Sequence, residues 1–165
     1  MPIFLLLALA VTAAGFVHGF VRSRSDRRRQ VELALVWLVA GYFGVVMVAV
    51  ALFMLFAPER AAAMLDAEPG NPFQQFAGVM YLSMAILATL TAFFRGGFLL
   101  AAVVTWSVYF LLATLAHLGQ YHHGGDLGAH ASLVIIAEHA LPALLAIALG
   151  LWLHRLSKSR TGEAV

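Results

Sequence analysis

Residues 3–57 read IFLLLALAVTAAGFVHGF, then VRSRSDRRRQVE, then LALVWLVAGYFGVVMVAVALFMLFA. Two long apolar runs flank a short stretch that carries Arg22, Arg24, Arg27, Arg28 and Arg29. A helix rises about 1.5 Å per residue, so roughly 20 apolar residues cross a hydrocarbon layer about 30 Å thick. Both runs reach that length, and only His18 interrupts the first. In lipid the backbone must satisfy its own polar groups, which makes each run a helix.

Three further apolar segments follow: Phe73 to Phe94, Phe98 to Ala116, and Ala131 to Leu153, the last interrupted only by Glu138 and His139. The composition agrees, with 62% apolar residues and 11% charged and a mean hydropathy of +0.91. Ordinary soluble domains carry about 45 to 50% apolar and about 25% charged residues.

Charge placement orients the chain. Arg22, Arg24, Arg27, Arg28, Arg29, Arg95, Arg155, Lys158 and Arg160 fall on one set of alternate loops, and Arg60 alone on the other. Cytoplasmic loops hold the excess of Lys and Arg. The expectation is an all-α polytopic membrane bundle of five transmembrane helices over 3–21, 31–57, 72–94, 98–119 and 131–153, with the N-terminus outside and the C-terminus cytoplasmic. These form one domain, 1–154, followed by a short basic cytoplasmic tail, 155–165. The first helix is expected to be retained, because no positive residue precedes it and the arginines follow it at once. The location implied is a plasma membrane, and the alanine-rich, cysteine-free composition points to a bacterial inner membrane.

The ten Lys and Arg residues sit beside apolar runs as topology signals, which argues against nucleic-acid binding. With no cysteine, there is no disulfide and no thiolate site. No phosphate loop, nucleophile elbow or zincin motif occurs, so an enzyme is disfavoured.

Local signals add detail. Asn71-Pro72-Phe73-Gln74 reads as a capped helix start, with Gln74 placed to reach back. Pro58 to Leu65 reads as a short outer interfacial helix, and Arg95-Gly96-Gly97 as a tight inner turn that makes helices three and four a hairpin. Gly15 with Gly19, and Gly41 with Gly44, offer small faces for close helix contact, and the scattered methionines read as core filler.

A few polar residues need a reason to be in a bilayer. Glu138 lies well below the outer end of helix five, where a charge costs on the order of 2.5 kcal/mol or more, and Pro142 four residues on frees its carbonyl. Five of the seven histidines fall between His117 and His139, with Gln120 among them. Three readings stand: a metal site drawn from His117, Glu138, His139, His122, His123 and His130 that would take zinc, copper or iron, and less readily haem; a proton-passing or pH-responsive cluster; or a structural outer cap. Glu138 and His139 differ by about 100° around a helix and cannot point the same way. At the inner face, His18 and Glu32 read as headgroup-level residues, with Glu32 paired to arginine, and the arginine cluster as a contact for anionic lipid.

The order of these features resembles a family of small integral membrane proteins, domain of unknown function 6790. The features are His18, the basic stretch, Glu32, Pro58, Asn71-Pro72-Phe73-Gln74 with Gly78, Arg95-Gly96 with Phe98 and Ala101, His117 with Gln120, and Glu138 four residues before Pro142. The resemblance spans His18 to Leu153 and implies a polytopic membrane protein with no assigned chemistry. The chain departs from the family pattern at Phe76 and Tyr81, where polar residues are usual, and at Glu138, where aspartate is usual. Two functional expectations remain. One is a small subunit or accessory protein that packs with itself or a larger membrane complex through its small-residue faces. The other is a metal- or proton-handling protein, such as a small transporter, with an outer-leaflet His/Glu site.

Overall fold

A computed structural model describes residues 3–65, 72–122 and 129–162, and among these all regular structure is helical. Helix α1 spans Ile3–Arg22. The long α2, Arg27–Phe56, is α-helical over Arg27–Val36 and Met47–Phe56 and wound as a π-helix over Trp37–Val46. There follow the short α3, Pro58–Leu65, then α4, Pro72–Leu90, α5, Gly97–His122, and α6, Ala129–Gly162. Four helices are long and apolar enough to cross a membrane: Phe4–Arg22, Arg27–Phe56, Gly97–Gly119 and Ile136–Lys158; Gln74–Leu90 is apolar but shorter.

Helix ends follow local chemistry. Asp26 caps α2, its carboxylate accepting from Arg29 N at 3.2 Å, as a helix start with unpaired N–H groups favours. Gln30 Nε2 donates to the Ser23 and Arg24 carbonyls at 3.1 and 3.2 Å and so closes the α1–α2 turn. Gly96 has φ of 64°, as expected for a turn needing the left-handed region. The third expected helix stops short, at Leu90, where Thr91, Ala92 and Phe93 N–H groups bond three residues back in tightened turns. The last helix instead runs on to Gly162, so the expected basic tail is helical as far as that residue. Gln74 reaches across to α3, donating to the Pro58 carbonyl at 3.0 Å; Asn71, its expected capping partner, lies outside the described residues.

The bundle is built around α2. Leu33 to Val36, Leu38 to Ala40 and Tyr42 to Gly44 are all buried, which one stripe of a straight α-helix facing a single neighbour cannot achieve. Helix α2 packs against α1, α4, α5 and α6. A Cβ added at Gly15 of α1 would lie 2.8 Å from Ala34 Cα and from Trp37 Cβ, and one at Gly19 would lie 2.8 Å from Gln30 Cα. Val11 of α1 approaches Gly41 equally closely, and Thr89 of α4 lies against Gly44. From α5, Trp106 stacks on Phe43 with centroids 5.3 Å apart and planes at 11°. In lipid, helices associate by this kind of close packing, since burial from hydrocarbon adds little.

The glycine faces of the first two helices both pack inside the chain, Gly15 and Gly19 against α2 and Gly41 and Gly44 against α1 and α4. Met47 and Met54 are buried as core.

A Cβ at Gly44 would lie 2.5 Å from Thr89 Oγ1 and 2.9 Å from its N, with backbone unable to give way. Gly44→Ala is expected to destabilise the bundle by about 1–3 kcal/mol. Gly97→Ala, where nothing lies within 4 Å of an added Cβ, is expected to change the thermal unfolding midpoint in detergent far less.

Candidate functional site

The polar residues of the expected outer site separate into two directions around α6. Glu138 is half-buried and turns toward α1, where its Oε1 accepts a hydrogen bond from Phe4 N at 3.2 Å. The first N–H groups of a helix have no partner in their own helix and carry partial positive charge. A carboxylate at that position satisfies one of them and is stabilised by the helix start. Tyr42 of α2 lies within electrostatic reach of Glu138.

His139 turns the other way, toward α5. Its ring meets Phe110 edge-on, with centroids 5.1 Å apart at 85°, and faces His117 at 5.2 Å and 53°. His117 Nδ1 is buried and has no hydrogen-bond partner among the described residues. An uncharged imidazole nitrogen left bare in this way accepts a proton or a cation.

Below the histidines the bundle is filled by rings. Phe110 touches Phe43 and Trp106 at 5.4 Å each, and Trp106 lies 6.2 Å from Tyr81. Tyr81 in turn packs edge-on against Tyr109 at 5.3 Å and hydrogen-bonds its side chain. Trp106 Nε1 donates to the Met84 carbonyl at 3.3 Å.

Of the expected metal set, the structure brings together His117 and His139. Glu138 adjoins His139 in sequence but faces α1, His122 is exposed at the end of α5, and His123 lies outside the described residues. His130 and Gln120 lie on helices, without described side chains. Among the described residues no group of three His, Asp or Glu side chains converges on a metal position.

The opposite end of the bundle holds a separate cluster. His18 Nδ1 accepts from Trp37 Nε1 at 3.0 Å, which leaves the neutral ring's proton on Nε2. Glu32 pairs with Arg29 at 3.2 Å, as expected from the sequence. Arg28 Nε donates to Ser157 Oγ at 3.2 Å, tying the start of α2 to the end of α6. Arg95, in the α4–α5 turn, donates from Nη2 to the Ala92 carbonyl at 2.9 Å, while its Nη1 is buried without a partner among the described residues. Burial pushes the Arg95 pKa down, and nearby Glu32 opposes the shift.

Residues 1–160 match the family described as a family of unknown function, DUF6790. The chain belongs to this family. No curated protein and no solved structure matches it. Within this DUF6790 chain, His117 and Glu138 both fall at the first cluster, and Arg95 lies within electrostatic reach of Glu32 at the second.

Sequence reasoning missed Tyr42, Tyr81, Tyr109 and the Phe4 amide. The tyrosines carried a readable signal, since three of the four in the chain interrupt apolar runs. The amide carried none, because every helix has one.

Glutamine keeps an oxygen that can accept from Phe4 N, whereas alanine does not. Glu138→Gln is expected to unfold within about 1 kcal/mol of the parent, and Glu138→Ala to lose about 1–3 kcal/mol. Faster amide exchange at Phe4 should accompany the alanine change alone. Thermal unfolding in detergent and hydrogen exchange read the two outcomes.

Proposed function

We propose that this chain is a plasma-membrane accessory protein, of bacterial inner-membrane type, whose outer face responds to a proton or a cation at His117 and His139. The observation that carries this reading is the buried His117 Nδ1 with no hydrogen-bond partner among the described residues, set against the His139 ring. Glu138, one residue away, ties the same region to the start of α1, so a charge gained by the histidines is felt by the contact that holds that helix.

An accessory role fits the core better than transport by this chain alone. Between the outer and inner clusters, the stacked Phe43, Trp106 and Phe110 rings and the fully buried Leu35, Leu38 and Val39 fill the centre. A solute or ion path needs polar groups or water at that depth. Zinc, copper or iron at the outer face would need a third ligand beyond the two histidines, for which the segment around His122, His123 and His130 is the source. With the glycine faces spent internally, assembly with a second copy or a larger complex would use the outward apolar faces of α4 to α6.

The reading includes five crossings, with α4 as the fifth, the N-terminus outside and the C-terminus cytoplasmic. The lopsided distribution of arginine and lysine supports it, and the inner arginines then meet anionic lipid.

Two experiments test these statements. The chain has no cysteine, so single replacements report sidedness directly. A membrane-impermeant maleimide applied to intact cells is expected to label Glu59→Cys and to spare Ser25→Cys and Lys158→Cys; labelling of the last two from outside reverses the orientation. For the site, ¹⁵N-histidine NMR in nanodiscs is expected to show the His117 and His139 rings shifting together on acidification or on addition of Zn²⁺. Both responses should vanish in His117→Gln. Rings indifferent to acid and to Zn²⁺ would leave the cluster as packing and overturn the reading.

A further inference from the structure

Glu32 stands between two guanidinium groups that do not share it equally. Arg29, three residues back on the same helix, donates from Nη1 to Glu32 Oε2 at 3.2 Å; its side chain is 44% exposed, whereas that of Glu32 is 15% exposed. Arg95 belongs to the turn between α4 and α5, so a bond from it to Glu32 would join that turn to α2. Instead its Nη2 donates to the Ala92 carbonyl at 2.9 Å, within the turn, and its Nη1 is buried with no partner among the described residues. Glu32 attracts the Arg95 charge and Arg29 repels it, so the three side chains lie within electrostatic reach of one another.

A buried charged donor without an acceptor is unfavourable. Arg29 maintains that arrangement twice over: its guanidinium occupies Glu32 Oε2, and its charge opposes the approach of a second cation. An anion that drew Arg29 away would relieve both effects together. Arg29 is the group such an anion meets, because it is exposed and adjoins Arg27 and Arg28, whereas Arg95 Nη1 is closed off. The pair it would leave is weak, as ion pairs with an exposed partner are, and a phosphate offers a guanidinium strong paired bonds in exchange.

Building on the reading of the arginine cluster as a contact for anionic lipid, we propose that Glu32 is an exchangeable latch. When the phosphate of an anionic phospholipid takes Arg29, Glu32 passes to Arg95 Nη1 and ties the α4–α5 turn to the start of α2. The lipid acts from the Arg29 side only, and the Arg95 nitrogen stays buried in both arrangements. The composition of the lipid surface thereby sets how firmly the α4–α5 hairpin is held.

Hydrogen exchange at the turn, Arg95 to Phe98, read by mass spectrometry on the full chain in nanodiscs, tests the latch, because a side-chain tie slows local opening. Relative to phosphatidylcholine, phosphatidylglycerol is expected to slow exchange there about two- to fivefold, the effect of one partly exposed ion pair. Glu32→Gln and Arg95→Gln should each abolish the difference between the lipids, leaving the turn fast in both. Arg29→Gln, which removes the competitor, should also abolish it but leave the turn slow in both. Circular dichroism establishes that each variant is folded. A turn in folded Arg29→Gln that exchanges as fast as the parent in phosphatidylcholine would overturn the proposal, as would a phosphatidylglycerol effect that survives Glu32→Gln. Native mass spectrometry separates the latch from the lipid contact beneath it: phosphatidylglycerol retained by the parent without slowing the turn overturns the latch, whereas no retention overturns the lipid contact. Slowing by free glycerol phosphate in phosphatidylcholine would overturn lipid as the trigger in favour of a soluble anion.

Discussion

A helix packed against several neighbours at once cannot keep bulky side chains where their backbones come closest, and α2 meets that constraint at Gly41 and Gly44, with α1 giving up side chains at Gly15 and Gly19. A Cβ at Gly15, Gly19 or Gly41 would come to 2.8 Å of a neighbour, and one at Gly44 to 2.5 Å. The rest of the bundle inherits its spacing from these approaches. With α1 and α4 drawn against α2, the remaining side of α2 is left for Trp106, whose indole stacks on Phe43. The π-winding of Trp37–Val46 falls on this same closely packed segment, six of whose residues are buried.

Polar groups inside this bundle are handled in two ways. The hydroxyls of Thr12, Ser83, Thr89, Thr105 and Thr114 each bond the carbonyl four residues earlier, at 2.7 to 2.9 Å, so they cost little in lipid. Others reach across helices, as Trp106 Nε1 does to the Met84 carbonyl and Ser107 Oγ to the Ala143 carbonyl, and so does Glu138. Its partner is a backbone N–H that hydrocarbon would otherwise leave bare, so one bond relieves two otherwise unfavourable groups. His117 follows neither pattern, which is why the outer cluster stands apart from the remainder of the polar inventory.

Much of this was legible in the chain. The apolar runs located every long helix, because helix length is fixed by bilayer thickness; the arginine stretch located the turn after α1; and Gly96 located the turn after α4. Glu32 could be paired with arginine from spacing alone, since residues three apart share a helix face. The ends of α4 and α6 were misplaced for a physical reason: hydropathy reports where lipid ends, whereas hydrogen bonding decides where a helix ends, and Arg155 to Gly162 are polar yet helical. The partner of Glu138 was hidden, because a main-chain amide has no letter in a sequence. The internal use of Gly15 and Gly19 was likewise invisible, since a small face suits a partner within the chain as well as one outside it.

Helix α6 joins the two faces of the molecule. Glu138 is held to α1 near one end and Ser157 to Arg28 near the other, with Pro142, buried in the core, between them. Proline interrupts the hydrogen-bond ladder and is where a helix bends most readily. By the helical rise the arm from Pro142 to Glu138 is roughly 6 Å and the arm to Ser157 roughly 22 Å. In mechanical terms α6 is an unequal lever with a fulcrum in the core. A tilt of α6 about Pro142 that moved the Glu138 end by a few tenths of an ångström would carry the Ser157 end nearly four times as far.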